Sequence, residues 1–256
     1  MCCVKCFMLL CLTFMSSKIA ICVRITRLEV PEVVHLGDPV VLDCDYTVEG
    51  DEGLVVKWYF NNTSTLIYQW IPNTKPLTLG ILRGRVNLEY SASSDTNSVH
   101  RALHITKPGP DLSGDYTCAV SSFSSEDKKT KRMLVVAPGK SLELKQEFRE
   151  KGVMKIVCSA EGVYPQPNMN IHVNNSEVNN SVLSIQKRAG LFDIEVMADI
   201  PSLTSPEEFS CELHIPQANY TIRKEAVFYP FSANSCFLPN NHFILTIFLF
   251  LCSIWY

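Results

Sequence analysis

The chain has 256 residues, 46% of them hydrophobic, 11 cysteines and a formal net charge of −3. That length holds two ordinary domains plus processing segments. A charge this near balance leaves no electrostatic footprint for nucleic acid. The cysteines are unevenly spread: Cys2, Cys3, Cys6, Cys11 and Cys22 lie in the first 22 residues, and Cys236 and Cys252 in the last 21. Cys44, Cys118, Cys158 and Cys211 remain for the middle, and four cysteines allow three pairings. Disulfides persist in oxidising compartments, so the middle belongs outside the cytosol.

In chain order, residues 1–22 predict a secretory signal peptide. Lys5 supplies the positive start, 6–14 and 19–23 are apolar, and Ala20-Ile21-Cys22 puts small residues at −3 and −1 of a cut after Cys22. Lys18 interrupts the apolar run, which counts against an uncleaved anchor. A first domain is expected over 23–137. Alternation and β-branched or aromatic content predict strands at 28–30, 39–44, 54–60, 65–71, 85–90, 99–105, 116–121 and 131–136. Gly50-Asp51-Glu52-Gly53 is a turn cluster between the second and third of these.

Trp58 follows Cys44 by fourteen residues, and Tyr116 precedes Cys118 by two. This is the Cys…Trp…Tyr-x-Cys pattern of an immunoglobulin-type β-sandwich. The cysteines cross-link two sheets, the indole packs on the link and the phenol bonds back to the backbone. The pattern favours the pairs Cys44–Cys118 and Cys158–Cys211. The first pair is 74 residues apart, which leaves room for extra strands such as 65–71, so the first domain is expected to be V-like. Residues 138–140 read as a short linker. The second domain, 141–230, has its cysteines only 53 apart and is expected to be smaller and C-like. There Ile171 and Phe209 replace the tryptophan and the corner tyrosine, so the phenol hydrogen bond is lost. Tyr164-Pro165-Gln166-Pro167 fits the bend before a third strand. The fold class is therefore all-β, two tandem sandwiches, with the second domain spacing the first from the membrane.

Residues 231–242 form a spacer and 243–256 an uncharged apolar tail. Fourteen residues fall short of the roughly 20 that a spanning helix needs. Small residues, polar spacer and apolar tail together resemble a GPI-attachment signal, with Ser232 or Asn234 as acceptor. A short transmembrane segment and secretion are the alternatives. All three put the folded part outside the cell, at the plasma membrane or beyond it. Asn61, Asn62, Asn174, Asn179 and Asn219 head glycosylation sequons; the first two overlap, so one of them is expected to be modified.

No catalytic constellation is present in the sequence, and neither a cofactor, a metal nor a small-molecule substrate is expected; the chain reads as a binding protein, not an enzyme. His100 and His104 fall on a predicted strand, where four residues spread them about 13 Å apart. Gly139-Lys140-Ser141 imitates the end of a phosphate loop, but Leu134 stands where its first glycine is required. Lys128-Lys129-Thr130-Lys131-Arg132 reads as a solvated hairpin tip, with a patch for an acidic partner or sulfated glycan as the second reading. Strand residues alternate between faces. With Trp58 and Cys118 inward, Lys57, Tyr59, Thr117 and Ala119 point outward. A buried Gln is costly, so Ile67, Gln69 and Ile71 are placed outward and Leu66, Tyr68 and Trp70 inward. These seven outward residues form the candidate partner-binding face.

A narrower likeness follows from Val55-Val56-Lys57-Trp58-Tyr59, Leu66-Ile67-Tyr68-Gln69-Trp70-Ile71-Pro72 and Asp111-Leu112-Ser113-Gly114-Asp115-Tyr116-Thr117-Cys118. These runs resemble the insect beaten-path family of immunoglobulin-superfamily cell-surface proteins. The resemblance implies a neuronal surface or secreted protein that binds a sidestep-like receptor through its first domain and takes part in axon guidance or synaptic recognition. A secreted ligand or immune-recognition module is the rival function. Leu112 stands where that family has an Asp six residues before the second cysteine, which leaves a surface pair with Arg83 or Arg85 without its acid.

Overall fold

The computed structural model describes residues 22–49, 52–149, 153–201 and 205–229. The predicted signal segment up to residue 21, the spacer and tail, and the acceptors Ser232 and Asn234 lie outside the described residues. The first domain holds β1 (Arg24–Glu29), β2 (Val33–His35), β3 (Val40–Thr47), β4 (Val55–Phe60) and β5 (Leu66–Trp70). It continues with β6 (Leu77–Thr78), β7 (Leu103–Ile105), β8 (Gly114–Ser121) and β9 (Glu126–Pro138). One sheet runs β1-β3-β7; the other runs β9-β8-β4-β5-β6, with β2 parallel to β9. The chain therefore changes sheets between β1 and β2, and β5 and β6 extend the second sheet, as a V-like domain requires.

Period-two alternation builds the core. Along β3, Val40, Leu42, Cys44 and Tyr46 are buried while the residues between them are not. Cys44 is bonded to Cys118, and Trp58 and Tyr116 are fully buried in the same cluster. The Tyr116 hydroxyl donates to the Leu112 carbonyl at 2.8 Å.

Two expected strands are not formed at their predicted lengths. Over 85–90 there is only a bridge, Val86 to Ile105, and over 99–105 only β7 is a strand. Residues between them turn repeatedly, because Asn87, Ser93 and Asp95 side chains accept from backbone N–H groups two residues on. Core rings hold this segment from beneath. Trp58 Nε1 donates to the Arg101 carbonyl (3.1 Å), Tyr68 Oη to the His100 carbonyl (2.7 Å) and Tyr46 Oη to the Asn97 carbonyl. The Arg–Asp pair that the sequence left without its acid is present: Arg85 Nη1 lies 2.6 Å from Asp111 Oδ2. A 3-10 turn at Pro110–Leu112 brings Asp111 to the arginine and sends Leu112 into the core.

The second domain holds β10 (Leu142–Phe148), β11 (Met154–Tyr164), β12 (Asn168–Val173) and β13 (Ser176–Glu177). β14 (Val182–Arg188), β15 (Leu191–Ile200), β16 (Glu207–Ile215) and β17 (Tyr220–Phe228) follow. One layer orders β14-β15-β11-β10 and the other β13-β12-β16-β17. Ile171 and Phe209 are buried beside the Cys158–Cys211 bond, filling volume where the first domain has an indole and a phenol. The end of β9 pairs with β11 at Ala137–Tyr164 and Pro138–Val163. At the turn after β9, Gly139 has φ 90°, and a Cβ there would press within 3.0 Å of the Glu161 carbonyl oxygen and a Val163 methyl.

Candidate functional site

The outer face of the β9-β8-β4-β5-β6 sheet is built from cross-strand rows. One row reads Lys128, Ala119, Lys57, Gln69, Leu77; the next reads Thr130, Thr117, Tyr59, Leu66. Lys57, Tyr59 and Gln69 are half-buried on this face, and Ile71 just beyond β5 is 40% exposed. The sequence placed these four correctly.

Three of the seven proposed face residues are not available as expected. Ile67 is fully buried, because a register shift between β4 and β5 pairs Trp58 with Tyr68 but Tyr59 with Leu66. The extra residue in β5 is Ile67, and such a bulge breaks the alternation from which its direction was read. Leu66, assigned to the inside, takes the outward place instead. Ala119 and Thr117 do lie on the outer rows but are only 2% and 7% exposed. Both are small, and taller neighbours flank them: Lys57 and Lys128 beside Ala119, Tyr59 and Thr130 beside Thr117. The Thr117 and Thr130 hydroxyls are 2.8 Å apart, so Thr117 is also internally bonded. The face is thus a shallow trough with a small-residue floor and walls carrying lysines and Tyr59.

Sequence reasoning missed Leu77, 52% exposed at the end of the first row, and Phe123 in the β8–β9 turn. A lone aromatic inside Ser121-Ser122-Phe123-Ser124-Ser125 was the available signal for the second. The basic run is not at the hairpin tip. It lies along β9 itself, exposed, with Lys128 3.0 Å from Glu126. His100 and His104 separate: His100 packs edge-on against Trp70 and His104 tilts against Tyr90. No group of three His, Cys, Asp or Glu among the described residues could hold a metal ion. No helix among them is long and apolar enough to cross a membrane.

All five sequon asparagines sit on exposed turns. Asn62 Oδ1 closes its own turn by accepting from the Ser64 and Thr65 N–H groups at 3.0 and 2.9 Å. Asn61 Oδ1 accepts from the Asp115 N–H at 3.0 Å, and Asn174 Oδ1 from the Glu208 N–H at 3.0 Å. Asn174 Nδ2 also donates to Glu207.

Comparison with known proteins fits this architecture. Residues 30–131 match the immunoglobulin domain family, and residues 139–221 match the family described as butyrophilin subfamily 3 member A2-like, Ig-C domain. The chain is a member of the immunoglobulin superfamily. Its two immunoglobulin domains are similar to human butyrophilin-like protein 2, 22% identical over 195 residues, covering 73% of this chain and 39% of that protein. They are also similar to mouse butyrophilin subfamily 1 member A1, 23% identical over 192 residues, covering 73% of this chain and 36% of that protein. The chain thus spans less than two fifths of the length of these curated relatives. Among solved structures it resembles bovine butyrophilin with a TM-score of 0.63 at 15% identity, covering 82% of this chain and 99% of that one, a likeness of fold.

Proposed function

We propose that this immunoglobulin-superfamily chain is a cell-surface recognition protein whose first domain docks an extracellular protein receptor through the trough on its outer sheet face. The observation that carries the reading is that trough: a floor of Ala119 and Thr117 between Lys57 and Tyr59 on one side and Lys128 and Thr130 on the other, with Gln69, Ile71 and Leu77 extending the face. Mixed aromatic and polar faces of this kind suit protein contact better than a solvated sheet. Lys57 and Lys128 stand two strands apart, about 10 Å. A two-fold copy of the same face would set like charges together, so an acidic receptor surface fits better than a second copy.

On this reading the last residues hold the chain outside the cell, through a GPI group on Ser232 or Asn234 or through a short membrane segment, with secretion as the alternative. Phospholipase treatment of intact cells separates these: release supports the GPI group, retention the membrane segment, and protein already in the medium the secreted form. A sidestep-like receptor and a role in axon guidance are the narrower reading and rest on the strand motifs alone. The butyrophilin matches over both domains favour a second reading, a recognition module of the butyrophilin kind, on the same face. Affinity from one such face is modest, with clustering supplying avidity. The test is Tyr59→Asp displayed on cells and probed with a panel of purified extracellular receptor domains. Surface level should match wild type and receptor binding should fall about tenfold or more; undiminished binding removes this face.

A further inference from the structure

A second feature of the first domain lies apart from the trough. Phe123, in the turn joining β8 to β9, is 83% exposed, more than any other large hydrophobic residue described. Its ring lies over the Gly53 backbone. A Cβ built on Gly53 would stand 2.4 Å from Phe123 Cδ1, and Gly53 has a φ of 71°. Only glycine meets both demands comfortably, the close approach and the left-handed backbone. The Phe123 N–H donates to the Glu52 carbonyl at 3.2 Å. Ser122 Oγ accepts from the Ser124 and Ser125 N–H groups, each at 3.3 Å, and the Ser122 N–H donates to the Ser125 carbonyl at 2.9 Å. Two loops from different strand pairs are thereby tied together, with a phenyl ring displayed outward at the end of the domain.

A ring displayed this way leaves apolar area in water. It also stands on a backbone already ordered by hydrogen bonds, which lowers the entropy cost of using it as an interface anchor. The rim is acidic. Glu49, Glu52 and Glu126 are exposed around the two loops; Glu49, Glu126 and Asp127 line one hollow with Arg24, so acids outnumber bases there. Glu126 faces Lys128, whereas Glu49 and Glu52 make no ion pair among the described residues. An acidic rim disfavours an anionic membrane surface, and it repels a second copy bearing the same rim.

We infer that Phe123 anchors a protein partner offering an apolar pocket ringed by lysine or arginine. Tyr59 lies four residues, about 13 Å, beyond Val55, where β4 begins nearest this tip, so this contact neither needs the trough nor follows from it. The test uses cells displaying the full chain, probed with a panel of individually purified extracellular receptor domains. At least one receptor is expected to bind wild type, to lose about tenfold or more with F123S, to keep binding with F123W, and to weaken as salt rises. Surface display at the wild-type level rules out misfolding. Should F123S fail to reach the surface, E52K reads the same contact through its rim and is expected to weaken binding. A panel in which no binding depends on Phe123 overturns the proposal, whether nothing binds or F123S binds as well as wild type. Aggregation of displaying cells that F123S abolishes places a second copy of the chain there and overturns the basic-rimmed partner. Loss with F123S but not with Y59D assigns the contact to the tip alone; loss with Y59D but not F123S assigns it to the trough and removes the tip.

Discussion

Tyr46, Tyr68 and Tyr116 each bury a ring and aim the hydroxyl at a backbone carbonyl. Burial pushes all three phenol pKa values up, beyond the ordinary tyrosine range, and the nearby Asp111 adds to the effect at Tyr116. A phenol that keeps its proton in the fold but loses it in the unfolded chain makes the unfolded state bind fewer protons above about pH 10. Their contribution is complete below that pH and lost as the pH rises through the folded values. Denaturant midpoints measured at about pH 8 and about pH 11 should therefore fall at the higher value. Absorbance titration should show these three tyrosines ionising only as the fold is lost. These residues show what a sequence reveals. Tyr116 was legible because its bond reaches four residues back, a local geometry carried by spacing. Tyr46 and Tyr68 reach 51 and 32 residues along the chain, and nothing in their neighbours announces the segment they hold.

At the scale of the element, alternation located strands and core but misplaced residues wherever a strand is irregular. One bulge in β5 exchanged Leu66 for Ile67 on the outer sheet face. The segment before β7 reads as two strands because it has the right apolar spacing, yet local turns and core hydrogen bonds capture it first. Arg101 is its clasp on the other side, with Nε 2.9 Å from Asp43 Oδ1, Nη2 3.0 Å from Asp43 Oδ2, and Nη1 on Asp45. Burial works against the charge on Arg101, but the Asp43 hydrogen bond and the charges of Asp43 and Asp45 outweigh it and raise its pKa. Arg101→Ala should cost on the order of 2 kcal/mol in denaturant unfolding, since Asp43 and Asp45 lose charged bonds together. Hydrogen exchange should show the 91–102 segment opening before the rest of the sandwich. Exchange that stays uniform would mean the core rings hold the segment without the arginine.

For the whole molecule, two cross-links of 74 and 53 residues constrain the unfolded chain more than any other covalent feature described. Chain entropy gives roughly 4 kcal/mol for each loop of this size. Replacing Cys44 and Cys118 by alanine should lower the unfolding free energy of the first domain by about that much, while the second melts near its wild-type temperature. A shift in both together would mean that they unfold as one unit. The two-domain plan, the bond pairs and the V-like character of the first domain were all legible in the spacing of Cys44, Trp58, Tyr116 and Cys118. The tie between domains was not, because it rests on two backbone pairs that no side chain specifies. That tie has a mechanical consequence. β9 forms one wall of the trough, runs to Pro138 and there pairs with β11. A pull on the outer sheet face thus travels along a single unbroken strand into the second sandwich, straining that strand lengthwise in shear instead of peeling it away one rung at a time.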